Sequence, residues 1–208
     1  HFFLRTSRLH SMVSLADENI DIKAKYARVN KWYSSKIFDL LALEHDGYKK
    51  KFEALVRRTI LFVKPHYWII SDAVIKPRRT VKATSYLHTL PVLFIEEDGS
   101  IKCRQAPGIA IAYPRNDKQE FIKERAVANL AEFENEMQWT DYIGFRKSAK
   151  VGKGTTFMTV IYPYEMVPPK LKVMRLEVFP VKGRKPVEPL EAEAFEIHTS
   201  EGKDNFFI

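Results

Sequence analysis

At 208 residues, with 45% hydrophobic and 12% aromatic side chains, the chain has the length and apolar content for one large domain with a real core, which excludes a disordered polypeptide. Its 34 basic against 26 acidic residues leave a net charge of +8, so a polyanionic partner (nucleic acid, anionic lipid or acidic polysaccharide) competes with a surface charged only for solubility. A single cysteine, Cys103, excludes a disulfide framework and any multi-cysteine metal site.

Alternation dominates from the start. Met12, Val13 and Leu15 lead to a polar turn at "ADEN" (16–19), and "IDIKAKYARV" then alternates Ile20, Ile22, Ala24 and Tyr26 against Asp21, Lys23 and Lys25. That period of two predicts a half-buried strand. "KIFDLLALEH" is apolar and strand-length, closed by a turn at "HDGY". "EALVRRTILFV" and "YWIISDAVI" follow as a hairpin about Pro65, whose missing N–H suits a connection and not a central ladder position. "RTVKATSYLHTL" is another strand, "LFIEEDGSIKCRQ" a hairpin turning at Asp98-Gly99, and "GIAIAYP" a further strand.

The Glu/Lys/Ala-rich stretch near 117–138 changes the pattern. Leu130, Phe133 and Met137 at i, i+3 and i+7 allow either one short helical insertion or a polar excursion between strands. Strands resume at "TTFMTVIYPYE", "KLKVMRLEVFP" and "AEAFEIHTSEG", with "KGRKPVEP" as the loop between the last two. The expectation is an all-β chain: a single domain over 1–208, a large antiparallel two-sheet β-sandwich of about ten to twelve strands. No apolar run approaches the roughly 20 residues of a membrane helix, so no membrane segment is expected. No zinc-finger spacing, RNP-type aromatic motif or long basic block supports a nucleic-acid partner. No signal peptide is visible, and the opening "HFFLRTSRLH" lacks an initiator methionine, which reads as a fragment, a processed product or an excised domain.

The usual catalytic signatures, a G-x-S-x-G elbow, a phosphate-binding glycine loop and H-E-x-x-H, are missing. "GKGTT" at 152–156 runs into a strand and is read as a turn. Six histidines remain to be weighed. His1 and His198 lie at the ends without an obvious partner, and His66 sits in a turn beside Pro65. His88 in "SYLHTLP" is placed at a strand end where it could face a groove. His10 follows Arg5 and Arg8 and directly precedes a strand, and His45 ends one. For any one of these a structural role is the commoner outcome. Asp39 and His45 share a face by parity, but six residues of strand span roughly 20 Å, too far for two ligands of one zinc. His10 with His45 can still meet on one metal, coming from different strands, although no third ligand is evident.

These residues resemble the C-terminal β-sandwich region of the heparinase II/III-like polysaccharide lyases. The likeness lies in Arg5 to His10 ("RTSRLH") leading into "SMVSLADE", in His45, Gly47 and Tyr48 followed by "VRRTILFVK", and in "YWIISD" from Tyr67 to Asp72. "TVIYP" and the closing "IHTSEGKDNFFI" are similar to the family's last strands. Two departures stand out. Ser11 occupies the place of the family's usual Asn, and the helical (α/α) toroid domain that precedes the sandwich is absent from these residues.

The resemblance implies β-elimination on an acidic, uronic-acid-containing glycan such as a glycosaminoglycan or alginate, in a bacterial protein that is periplasmic or secreted. A base takes the C5 proton, the uronate carboxylate is neutralised, and an acid protonates the leaving glycosidic oxygen. No redox cofactor is implied, and the family admits a structural zinc. By position His10 matches the family's catalytic histidine, with His10 and His45 as metal ligands in the zinc alternative. Arg5, Arg8, Arg57 and Arg58 are implied as forks for sugar carboxylates or sulfates, with His88 beside them. Arg57 and Arg58 face opposite sides of their strand, so at most one lines a given cleft. The implied partners are the acidic polysaccharide and the toroid of the same full-length protein, and the chain alone is expected to be inactive. Two rivals remain: a non-catalytic carbohydrate-binding or scaffolding module in which Trp32, Trp68 and Trp139 stack on sugars or fill the core, and an unrelated sandwich.

Overall fold

The computed structural model describes residues 6–7, 10–24, 26–89, 93–95, 100–103, 106–129, 137–183, 185–187, 190 and 192–207. Fifteen strands and one short helix make up these residues. β1 (Val13–Leu15), β6 (Val81–Thr89), β11 (Met137–Ala149) and β10 (Glu120–Asn129) form a four-stranded sheet in that order. The largest sheet has eight strands, ordered β2 (Ala27–Ser34), β3 (Phe38–Tyr48), β4 (Ala54–Val63), β5 (Tyr67–Ile75), β12 (Gly154–Tyr164), β9 (Gly108–Ala112), β8 (Ile101–Cys103) and β7 (Leu93–Ile95). A third sheet runs β13 (Lys172–Leu176), β14 (Ala194–His198), β15 (Lys203–Phe207). Every strand pairing is antiparallel. The helix α1 (Lys49–Phe52) is a single turn between β3 and β4.

The expected all-β antiparallel sandwich is present, with a third layer added. Alternate residues of the eight-stranded sheet feed two separate cores. Val56, Val74, Ile111 and Phe157 pack with Val13, Leu15, Ala83, Ile143 and Phe145 of the four-stranded sheet. Leu61, Ile69, Ala110, Met158 and Val160 face the other way, onto Val173, Phe195 and Ile197 of the third sheet. Each fully buried aliphatic side chain here contributes roughly 1.5–3 kcal/mol, so register is held from both faces at once.

Three local expectations are corrected. Over 120–129 and 137–138 the stretch considered for a helix is strand, with 130–136 outside the described residues. β10 is the edge of its sheet, and the charges Lys123, Glu124 and Arg125 that mimicked a helical surface are what an edge strand carries against aggregation. Residues 20–24 and 26 are not strand: the Asp21 carboxylate accepts the Lys23 N–H at 2.9 Å in a local turn, and Ile22 is 92% exposed. "HDGY" is the bulged end of β3 and not a closing turn. Gly47 is needed there because a Cβ would lie 3.0 Å from Cβ of Ile20, whose neighbour Asp21 donates its N–H to the Gly47 carbonyl. The "GKGTT" turn is as expected, with Gly152 at φ 69 and Gly154 at φ 87 in the left-handed region.

One buried ionic network ties all three layers together. Asp117 accepts from Arg175 Nε (2.8 Å) and Nη2 (3.0 Å) and from Lys147 Nζ (2.6 Å). Glu193 accepts from Arg175, Thr156 and Ser71. Burial pushes the Asp117 carboxyl up, but Arg175 and Lys147 outweigh it and hold the group below its usual range. A carboxyl whose folded pKa is depressed stabilises above its unfolded value, near 4, and that contribution is lost as pH falls through the folded pKa. Urea-unfolding midpoints of the wild type should therefore fall on acidification from about pH 5 to pH 2, and Asp117→Asn should shrink this fall. An unchanged acid limb in the variant would assign the loss to other carboxylates.

Candidate functional site

The segment before β1 is anchored on both sides of His10. The Ser7 N–H donates to Asn19 Oδ1 at 2.8 Å, and Ser7 Oγ accepts the Ile20 N–H at 2.9 Å. Beyond His10, Ser11 Oγ accepts the His88 N–H at 3.0 Å, and the Met12 carbonyl accepts the Tyr86 N–H at 3.0 Å, which lays the segment along β6. His10 itself is exposed while Ser7 is buried. An exposed imidazole on an immobilised backbone is what a proton-transferring group needs.

The strongest anchor comes from the β4–β5 hairpin. Arg58 and Asp72 are register partners, and the guanidinium binds the carboxylate as a fork, Nε to Oδ1 at 2.6 Å and Nη2 to Oδ2 at 2.8 Å. Asp72 is 1% exposed and also accepts from Ser85 Oγ of β6 at 2.6 Å. The remaining Nη1 of Arg58 donates to the Ser11 carbonyl, one residue from His10. Burial opposes the guanidinium charge, but Asp72 outweighs it and raises the Arg58 pKa further. The ion pair is thereby a bracket that joins β4, β5, β6 and the His10 segment.

His45 lines a cavity of about 420 Å³ beside this bracket, together with Met12, Val29, Leu43, Arg58 and Asp72. Its Nδ1 accepts the Gly47 N–H at 3.1 Å, which leaves the proton of the neutral ring on Nε2. Burial pushes its pKa down, Asp46 and Asp72 work against that, and Arg58 adds to it; the net shift is downward. Among the described residues no three His, Cys, Asp or Glu side chains come together to hold a metal.

The other sequence-derived residues are dispersed. His88 stacks on Tyr142 with ring centroids 4.9 Å apart, and its neighbour Leu87 packs on the core. Arg57 lies on the opposite face of β4 from Arg58, bonded to the buried Glu44 at 3.0 Å and lining a different groove. Arg5 and Arg8 lie outside the described residues. Of the tryptophans, Trp32 and Trp139 are exposed, and half-buried Trp68 stacks on Phe62 at 4.4 Å. Asp72, Ser85 and Ser11 are the members that residue typing alone passed over.

Fold and site together define a layered antiparallel β-sandwich with its candidate chemistry at the start of the chain. The chain belongs to the heparinase II/III-like C-terminal family, whose model matches residues 3–157. Over its whole length it superposes on heparan sulfate lyase HepC from Pedobacter heparinus with a TM-score of 0.79 at 18% identity, covering 31% of that protein. A heparinase III gene product with methylated lysines (TM-score 0.77, 16% identity, 100% of this chain and 30% of that one) and a further heparinase III (0.78, 12%, 99% and 30%) share the fold. The chain thus spans about a third of the length of these structures. No curated protein matches its sequence. No helix among the described residues is long and apolar enough to cross a membrane.

Proposed function

We propose that this chain is the sandwich part of a polysaccharide lyase that cleaves an acidic, uronic-acid-containing glycan by β-elimination, with His10 on one wall of the cleft and a helical toroid forming the rest. The observation that carries the reading is His10: exposed, yet set on backbone held by Ser7, Ser11 and the Arg58–Asp72 pair. In this reading the C5 proton leaves to a base, the C4–O bond breaks, a C4=C5 double bond forms, and the glycosidic oxygen departs protonated. An exposed imidazole with no side-chain partner among the described residues suits either proton step. The +8 charge favours a polyanionic chain and raises its local concentration.

Two preparations test this: the 208-residue chain alone, and the polypeptide of full family length. Each is incubated with heparan sulfate, hyaluronan and alginate and followed by the ultraviolet absorbance of the unsaturated uronate. The expected result is turnover of at least one glycan by the longer protein and none by the chain alone. Turnover by the chain alone would overturn the division of labour. Inactivity of both, combined with salt-insensitive retention on a neutral glycan, would favour the rival binding module built on exposed Trp32.

A further inference from the structure

The eight-stranded sheet is wider than the sheet that covers one of its faces. β15 is the outer strand of the three-stranded sheet, and no strand pairs with its free edge among the described residues. It sits above β5, where the Tyr67 hydroxyl donates to Asp204 at 2.5 Å and the Tyr67 ring meets Phe206 edge-on at 6.3 Å. β4, β3 and β2 project past it. The overhang and the β15 edge enclose an open groove of about 1130 Å³. Its floor is Leu40, Ala42, Leu61 and Val63, and its wall is Phe206. Leu61 belongs to the core beneath the third sheet, and Leu40 and Val63 pack against that core. The groove is therefore the same packed interface, running out from under its cover.

We propose that this groove is a strand-addition site: an extended peptide of net negative charge pairs with the free edge of β15 and drops alternate apolar side chains onto Leu40, Leu61 and Val63. A strand added about 4.8 Å beyond β15 would continue the third sheet over the overhang at the ordinary face-to-face spacing of about 10 Å. Arg28, Lys31 and Arg57 line the groove with one acid, Asp204, and Glu44 beside it pairs with both arginines, so the groove keeps a net positive charge, carried chiefly by Lys31, that draws the acidic residues of such a peptide. A second copy paired antiparallel does not fit. Antiparallel pairing of two β15 edges would put both eight-stranded sheets on the same side of the joined edge, where each overhang occupies the other's space. The inference is independent of the lyase reading.

The probe is a fluorescein-labelled, end-capped decapeptide of alternating Val and Glu. Two controls share its composition: one with the residues in two blocks, and one N-methylated at the amides that would face β15. Anisotropy should show saturable binding of the alternating peptide, with both controls weaker by about tenfold or more. Amide exchange of Lys203–Phe207 should slow in its presence. Leu40→Glu, accepted as folded if its melt is within a few degrees of wild type, should abolish binding; a misfolded variant leaves the N-methyl control as the arbiter. Absence of binding at millimolar peptide, equal binding of the N-methylated control, or binding without protection of β15 would each overturn the proposal.

Discussion

Arg58→Ala should lower the melting temperature of the chain by roughly 10 °C. Asp72 is 1% exposed, and the substitution strips two charge-assisted hydrogen bonds from a carboxylate that then keeps, among the described residues, only Ser85. Breaking a buried ion pair from one side costs about 3–5 kcal/mol, and each kcal/mol moves the midpoint of a domain this size by about 2–4 °C. The double variant Arg58→Met/Asp72→Leu removes both charges together and should regain most of the loss. A local readout separates this bracket from ordinary packing. The Ser11 carbonyl loses its donor in Arg58→Ala, so the His88 amide, which bonds Ser11 Oγ, should exchange faster than the amides of β12. An unchanged melt would show that Ser85 and water suffice for Asp72.

The second large effect is on turnover. In the polypeptide of full family length, His10→Ala should reduce lyase activity about 100-fold or more while the melting temperature stays within error, as for loss of a general acid–base residue. The exposure of His10 underlies the second half of that statement, since truncating an exposed side chain away from any core costs little. If His10 holds a zinc instead, the variant loses metal and stability together, and a chelator lowers the wild-type melt to the same point. Unchanged activity and melt together would leave His10 an ordinary surface residue and would remove it from the proposed cleft.

Much of the fold was legible because strand alternation is a direct imprint of burial. The β4–β5 hairpin, β6, β12 and β14 fall where the apolar pattern places them. The third layer was harder to read, yet a signal existed. "GIAIA" and "FMTVI" are continuous apolar runs and not alternating ones, as expected of strands buried on both faces. Ile20 and Ile22 misled because a period of two says nothing about whether a partner strand is present, and Asp21 offers the backbone a local turn instead. The Arg58–Asp72 bracket was also within reach. Once Val63 and Tyr67 are the inner pair of the hairpin, five steps outward on each strand set Arg58 opposite Asp72. The side-chain contacts between sheets, Ser85 to Asp72 and Arg58 to Ser11, depend on how the layers stack, which no local pattern encodes.

The middle sheet is read twice, and this makes it intolerant of small length changes. Phe157 and Met158 are neighbours in the chain but belong to different cores, as do Ala110 and Ile111. One residue inserted within β12 would exchange the two sets, sending Phe157 toward Phe195 and Met158 toward Phe145, with no exposed face on which to absorb the error. An inserted residue should therefore be tolerated only in the connections between strands. The two cores also share one fate: neither outer sheet can keep its packing once β5, β9 and β12 part, so the three layers should melt in one cooperative transition.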